Sequence, residues 1–456
     1  MAKIFTMKAT DIKNLLSRSE YARNILLLLK GTGFAQVLVL VAAPILTRLY
    51  SPADFGLAGV FVAIVTIAGA MSTLRFELAI PLPRSNRVAT TVFFLSVFTA
   101  SIMSIIALSL VFIFDDVFYS MTIFNDLGSY LFLIPLGILF QGIWQSFTLW
   151  LTRRERFSTI TTSKIIQAST FVGLQLLATL TLLKLPLFIL SYSIGVGVTV
   201  LYNIKKNVSL FRFFCGRRLL SRMTAAAWRY RRFPQFSVWA AGAFTTSQYA
   251  PLMLLGYFFG SAEAGCFFLA ARIGGMPIGM VTGAVSQAGH SSLVRFKRSG
   301  ELGAKVYPQV LSVQKIAFIP VVLIALILPQ ACAVIFGDEW RLAGECLQAM
   351  SPLFFLMIAY SPMGAVISVM EWQRLGLFYQ VINVLIPVLI MSYLALTSGT
   401  IGAVAGYFIT SAVILFCYRI YLLKRLGVRV GGLVKLTLLQ AGFVLFVLLI
   451  YRVNFS

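Results

Sequence analysis

Apolar residues run along this chain in thirteen long blocks, separated by short polar stretches. They cover approximately 24–49, 56–80, 88–114, 127–151, 158–183, 185–204, 235–259, 264–290, 308–336, 346–370, 376–397, 399–422 and 433–453. About 20 mainly apolar residues in a helix suffice to cross a bilayer. The blocks are far longer than barrel strands and lack their strict alternation, so each is predicted to be a membrane-spanning helix.

The charges between the blocks alternate. Even-numbered connections carry Arg84 and Arg87; Arg153, Arg154 and Arg156; and nine basic residues from Lys205 to Arg232. Later even ones carry Arg295, Lys297, Arg298 and Lys305; Arg374; then Lys424, Arg425, Arg429 and Lys435. The odd-numbered set carries Arg48 and Asp54; Asp115, Asp116 and Asp126; Lys184; Glu263; and Asp338, Glu339, Arg341 and Glu345. Cytoplasmic loops are enriched in Lys and Arg, so the even set and the N-terminus are expected in the cytoplasm. Residues 1–23, with Lys3, Lys8, Lys13, Arg18 and Arg23, are expected to lie on the inner surface, partly as an amphipathic helix.

The hydrophilic stretch 205–234 divides the first twelve spans into two sets of six, over 24–204 and 235–422, leaving 423–456 as a basic loop and an extra C-terminal helix. Six is even, so both sets enter from one side, and a repeat between them would be parallel. One pair of segments fits such a repeat. Ser51-Pro52-Ala53-Asp54-Phe55-Gly56 and Gly260-Ser261-Ala262-Glu263-Ala264-Gly265 occupy equivalent linkers at an offset of 209, which also aligns Gly33 with Gly242.

Composition agrees with a lipid environment. Hydrophobic residues make up 59%, charged residues 11%, and the mean hydropathy is +0.91. Soluble chains average about 45–50% apolar and about 25% charged. The net charge of +24 lies mostly in interhelical segments, with no soluble basic domain to bind nucleic acid. Five cysteines without a CxxC pair and the single His290 offer no structural zinc site. Cys332 and Cys346 both fall near the outer face, as a disulfide or as two separately packed thiols. No nucleotide-binding loop or catalytic constellation is present, so no cofactor and no enzymatic reaction are expected.

A charge at mid-membrane costs at least ~2.5–3.5 kcal/mol and usually faces a cavity or a partner. The candidates are Lys30, Arg75, Glu77, Lys164, Arg272 and Lys315, five cations and one acid. A path lined this way attracts anions, and phosphate suits both Arg and Lys. Each has a plainer reading. Lys30, Lys164 and Lys315 lie close enough to span ends to snorkel, and Arg75 with Glu77 can form an interfacial pair. Arg272 sits among small residues, Ala270, Ala271, Gly274 and Gly275, that permit either close packing or a cavity. Prolines interrupt several spans, among them Pro44, Pro251, Pro277 and Pro387. They suit helices that bend, and are also common in membrane helices generally.

Five stretches carry a resemblance: Pro44–Gly56; Leu74-Arg75-Phe76-Glu77-Leu78-Ala79-Ile80-Pro81-Leu82-Pro83; Leu149-Trp150-Leu151-Thr152-Arg153-Arg154-Glu155-Arg156-Phe157; Phe233-Pro234-Gln235-Phe236-Ser237; and Ala264-Gly265 continuing to Ala271-Arg272 and Pro277. In this order and spacing they resemble the Wzx-type oligosaccharide flippases, a branch of the multidrug/oligosaccharidyl-lipid/polysaccharide (MOP) exporter superfamily. The resemblance implies an all-α polytopic membrane protein with two six-helix lobes in a MATE-like arrangement around a central cavity. It implies transfer of an undecaprenyl-diphosphate-linked oligosaccharide from the cytoplasmic to the periplasmic leaflet of a bacterial inner membrane, for O-antigen, capsule or exopolysaccharide. Membrane lipids, a polysaccharide polymerase and a chain-length regulator are the partners implied. Cations in the path would replace the hydration of the diphosphate. A cation-coupled multidrug exporter of the same superfamily is the alternative, and needs membrane-buried acids, of which only Glu77 is a candidate. A lipid II flippase and a membrane polymerase or ligase are further alternatives. The Arg-Phe-Glu-Leu-Ala-Ile signature points away from the first, and the absence of a large odd-numbered loop from the second.

Overall fold

A computed structural model describes residues 20–114, 126–211, 219–364, 366–370 and 372–441. Every regular element among them is helical. In chain order the α-helices of more than four residues are α1 (Glu20–Leu49), α2 (Pro52–Ser72), α3 (Asn86–Ile113), α4 (Ile134–Arg153), α5 (Phe157–Leu177), α6 (Lys184–Lys206), α7 (Leu219–Arg229), α8 (Val238–Phe258), α9 (Ser261–Arg298), α10 (Leu302–Phe336), α11 (Arg341–Ala359), α12 (Gln373–Thr397) and α13 (Gly399–Arg425), with short helices and 3₁₀ or π turns between them. Residues 431–441 form the described part of α14, at the start of the predicted thirteenth span. Long helices thus stand at all of the first twelve predicted positions. Of the predicted surface helix, residues 1–19 lie outside the described residues, as do 442–453 of the thirteenth span.

Ten of these helices are long and apolar enough to cross a membrane. The two others at predicted span positions, α5 and α8, are 21 residues each but more polar. In a bilayer core, polar groups must be satisfied within the protein. On α5, the Ser163 hydroxyl accepts from Asn203 Nδ2 of α6 at 2.9 Å, and Lys164 Nζ donates to the Thr32 hydroxyl of α1 at 2.9 Å. On α8, the Ser247 carbonyl accepts from the Tyr407 hydroxyl of α13 at 2.7 Å. Part of their polarity is thus met by neighbouring helices, while the Thr162 and Ser247 hydroxyls donate to carbonyls of their own helices.

The chain forms two compact units. The first takes the described residues of Met1–Leu46, Ile64–Ser120 and Leu127–Gly242. Its basic-end core packs Phe93 against Phe147 with ring centroids 5.0 Å apart, and against Trp150 at 5.9 Å, both edge-on. The second unit takes Thr47–Ala63, Asp126 and the described residues of Ala243–Ser456. There α10 and α11 approach closely at Gly344, where a side chain would meet the backbone of Leu328 and Pro329.

Several predicted boundaries differ from the structure, those of the second and tenth spans among them. The second span ends as a helix at Ser72, although apolar residues continue to Ile80. Leu74 and Arg75 adopt left-handed conformations, with φ of 48° and 60°, and a single 3₁₀ turn, Phe76–Ala79, follows. The tenth span stops at Ala359; a 3₁₀ turn, Ser361–Met363, begins where Pro362 cannot continue the helical ladder. The linker 205–234 is no simple connection, since it contains the eleven-residue α7. Cys332 and Cys346 are both free and buried, which supports the packed-thiol reading.

Candidate functional site

In the first unit, two of the sequence motifs meet at the basic ends of the helices, and a third packs beside them. Left-handed conformations cost an ordinary residue about 1–2 kcal/mol, so the surroundings must hold the Leu74-Arg75 turn. They do so from both sides. Phe76, Ala79 and Ile80 insert into the core with Phe93, Phe94 and Trp150, flanked by Tyr230 and Phe233. The Phe233–Ser237 π-turn lies beside the 3₁₀ turn. From the other side Arg153 reaches across. Its Nη1 donates to the carbonyls of Pro81 at 3.1 Å and Pro83 at 2.6 Å, and its Nη2 to the Arg84 carbonyl and Asn86 Oδ1, each at 3.3 Å.

Within this turn Arg75 Nη1 lies 3.2 Å from Glu77 Oε1, and the Thr73 hydroxyl donates to the other carboxylate oxygen. The Glu77 side chain is 1% exposed, against 25% for Arg75. Glu77 lies beyond the helical end of α2, buried against Arg75 and Thr73. The one acid in the predicted set is therefore already ion-paired. Beside the turn opens a cavity of about 570 Å³, lined by Pro83, Arg84, Asn86, Arg153, Arg154 and Glu155. Arg153 is committed to loop carbonyls, Arg154 stacks over Trp150 at 5.1 Å, and Arg84 is exposed. Guanidinium groups in such a crevice match phosphate oxygens in shape and charge.

Arg153 can be tested directly. Arg153→Ala should lower stability by about 1.5–3 kcal/mol, in the lower half of that range because two of the four acceptors are exposed. Arg153→Lys should recover less than half of it, since an ammonium lacks the fork. Thermal unfolding of the purified protein, followed by intrinsic fluorescence, reads the difference. Equal midpoints for all three proteins would remove Arg153 as the clasp.

The other predicted residues scatter. Lys164 bonds to Thr32, where α1 and α5 pack closely at Gly31 and Thr161. Lys30 lies in α1, and its side chain is outside the described residues. In the second unit Arg272 is buried at 9% exposure in the first third of α9. Lys315 is exposed beside Ile316, itself 72% exposed, while the neighbouring Gln314 is buried and bonds Gln440 and Thr437 of α14, each at 2.8 Å. Of these six, Arg75 and Glu77 are joined as an ion pair. The side chain of His290 lies outside the described residues.

One intramembrane cation escaped the sequence reading. Arg419, six residues before the end of α13, donates through Nη1 to the Met363 carbonyl at 3.3 Å and lies 5.7 Å from the ring of Tyr418. Tyr418 stacks on Tyr379 at 4.3 Å and 15°. Its position inside the predicted twelfth span was the available signal.

The second unit also tests the predicted repeat. Gly56 of α2 and Gly265 of α9 pack against each other. A Cβ on Gly56 would overlap the Ser261 carbonyl, and one on Gly265 would overlap that of Pro52. Ser261 and Pro52 are themselves related by the offset of 209, so the contact is reciprocal. Around it, Phe55 packs edge-on against Trp340 at 4.9 Å, and the Trp340 indole donates to the Thr47 carbonyl at 3.2 Å.

Long, largely apolar helices define a multi-pass membrane protein. Solved structures place its fold among the MOP-superfamily transporters. The lipid II flippase MurJ in an inward closed conformation aligns with a TM-score of 0.69 at 13% identity, covering 94% of this chain and 93% of that one. An inward-facing multidrug-resistance MATE transporter aligns at 0.66 and 16%, covering 86% and 95%. A MOP-superfamily transporter from Pyrococcus furiosus, described as having a binding pocket of reverse polarity that suggests a different function, aligns at 0.55 and 15%, covering 89% and 95%. The sequence finds no match among curated proteins. The polysaccharide biosynthesis protein family matches residues 45–345, about two thirds of the chain, and the chain belongs to that family.

Proposed function

We propose that this protein is a flippase that carries polyprenyl-diphosphate-linked oligosaccharides, of the undecaprenyl type, from the cytoplasmic to the outer leaflet of a bacterial inner membrane, by alternating access. The product feeds a surface polysaccharide such as an O-antigen, capsule or exopolysaccharide, with a polymerase and a chain-length regulator acting downstream. The sign of the membrane-embedded charge carries this reading. Of the six candidate residues five are cations, and the acid Glu77 is ion-paired with Arg75 and hydrogen-bonded by Thr73. A cation-coupled drug exporter needs a carboxylate free to bind and release its coupling ion, and Glu77 does not fill that part. A diphosphate crossing a medium hostile to charge needs cations to stand in for water. Arg272, Arg75, Lys30, Lys164 and Lys315 are assigned to that path. Membership of the polysaccharide biosynthesis family supports the substrate class.

Deleting the gene should leave lipid-linked repeat units in the inner leaflet and remove the surface glycan, with resistance to cationic dyes unchanged. Protein reconstituted in vesicles should move a polyprenyl-diphosphate sugar between leaflets and leave cationic dyes where they are. Dye sensitivity in the deletion strain, with surface glycan intact, would replace this reading with the exporter.

A further inference from the structure

Lys424 and Lys435 line one groove whose remaining walls are almost wholly apolar. The groove has a volume of about 660 Å³ and is walled by Ile420, Val434, Leu438 and Leu439. Its construction follows from the chain reversal between α13 and α14. Gly427, at φ 78°, ends α13; its N–H donates to the Lys424 carbonyl at 2.9 Å, and that of Val428 to the Leu423 carbonyl at 3.1 Å. This double bond pattern is a glycine cap that turns the backbone sharply. The turn is seated on the start of α10, where a side chain on Gly303 would meet Leu426 and Val428. Lys424, in the last turn of α13, and Lys435, near the start of α14, are thereby brought to the same trough.

The charge of this trough is not balanced by its own segment. From residue 372 to the C-terminus the sequence contains no Asp or Glu, but seven basic residues. Glu301, at the nearby start of α10, is engaged with Lys305 at 4.0 Å. Arg425, next to Lys424, lies over the Trp372 ring at 4.5 Å. Leu438 and Leu439 remain about two thirds exposed, at 65% and 64%.

We propose that this groove holds an anionic phospholipid of the leaflet that the basic loops face, with the headgroup phosphate between Lys424 and Lys435 and acyl chains along Ile420, Val434, Leu438 and Leu439. Two ammonium groups at the mouth of an apolar trough define an amphiphile with an anionic head. Basic residues beside a membrane attract anionic lipids, and the attraction is screened by salt. The site is independent of the transport reading: a lipid can be retained here whatever the protein carries.

The test uses the full-length protein in bilayers of equal phosphatidylglycerol and phosphatidylcholine, with each lipid spin-labelled in turn. Wild type should immobilise phosphatidylglycerol in preference to phosphatidylcholine, and lose the preference as salt rises from about 0.1 M to about 1 M. K424Q/K435Q should lower the preference on the order of tenfold, two lysines each contributing near the surface. Val434→Trp, which fills the trough and leaves both charges, should also displace the lipid. Equal retention of the two lipids by wild type would overturn the proposal. So would a preference that survives both variants, or one shown only for a polyprenyl phosphate, which would assign the groove to the transport substrate.

Discussion

Gly56→Ala and Gly265→Ala should each destabilise the protein by about 1–3 kcal/mol, and the double variant should fail to accumulate as a folded species. The sign is what makes the result diagnostic. Elsewhere in a helix, replacing glycine with alanine is worth roughly 0.5–1 kcal/mol in the opposite direction. At Gly56 and Gly265 the added methyl would overlap backbone carbonyls, which cannot swing aside as a side chain can. Gly275 and Gly279, on the same α9, meet nothing within 4 Å of a built Cβ and serve as controls. Thermal midpoints in detergent, with the monodisperse fraction by size-exclusion chromatography, give the comparison. Midpoints that rise in Gly56→Ala as they do in Gly279→Ala would mean that the two helices do not approach as closely as described.

Arg75→Ala should abolish transport and also cost about 2–3 kcal/mol of stability, because it leaves the buried Glu77 carboxylate without its cation. That is below the cost of breaking a fully buried pair, since Arg75 is a quarter exposed. The double variant R75A/E77A separates the two effects. Removing both partners should return most of the stability, while surface glycan stays absent if the Arg75 charge acts on the substrate. Arg272→Ala should abolish transport as well, and Arg272→Lys should restore only part, because the bidentate fork is lost. Normal glycan from R75A/E77A would reduce the pair to a structural clasp. Measuring thermal midpoint and glycan in the same strains decides between these.

The twelve long helices were legible because block length and loop charge are independent signals that agree. What the pattern did not reveal is local. Phe76 to Ile80 read as more of the second span because they are apolar, and hydropathy cannot tell an apolar helix from an apolar turn plugged into a core. Arg75 and Glu77, charged inside that run, were the trace of the break. Lys315 was singled out by its depth along α10. That helix is apolar on nearly every side, so its periodicity held no information about which face is buried; the buried polar residue is Gln314, one position earlier. Arg419 went unread because Lys424 and Arg425 follow within two turns, and a cation near a span end resembles a loop residue. The reciprocity of Gly56 and Gly265 was visible only as a few shared letters. What gives those letters meaning is the contact between the two glycines, which a single sequence does not contain.

The polarity of α5 and α8 has a consequence for parity. A count that admits helices by hydropathy alone drops both and finds ten. Losing α5 inverts every segment after it, and losing α8 inverts them back, so the two errors cancel at the chain's ends. The C-terminal helices come out with unchanged orientation, and nothing there betrays the mistake. Only the stretch from α5 to α8 is misplaced. That segment holds the nine basic residues from Lys205 to Arg232. A ten-helix topology would send the most cationic stretch of the chain across the membrane, to the side opposite the N-terminus. A single reporter fused within α7 therefore distinguishes ten crossings from twelve, where reporters at either terminus would give the same answer for both.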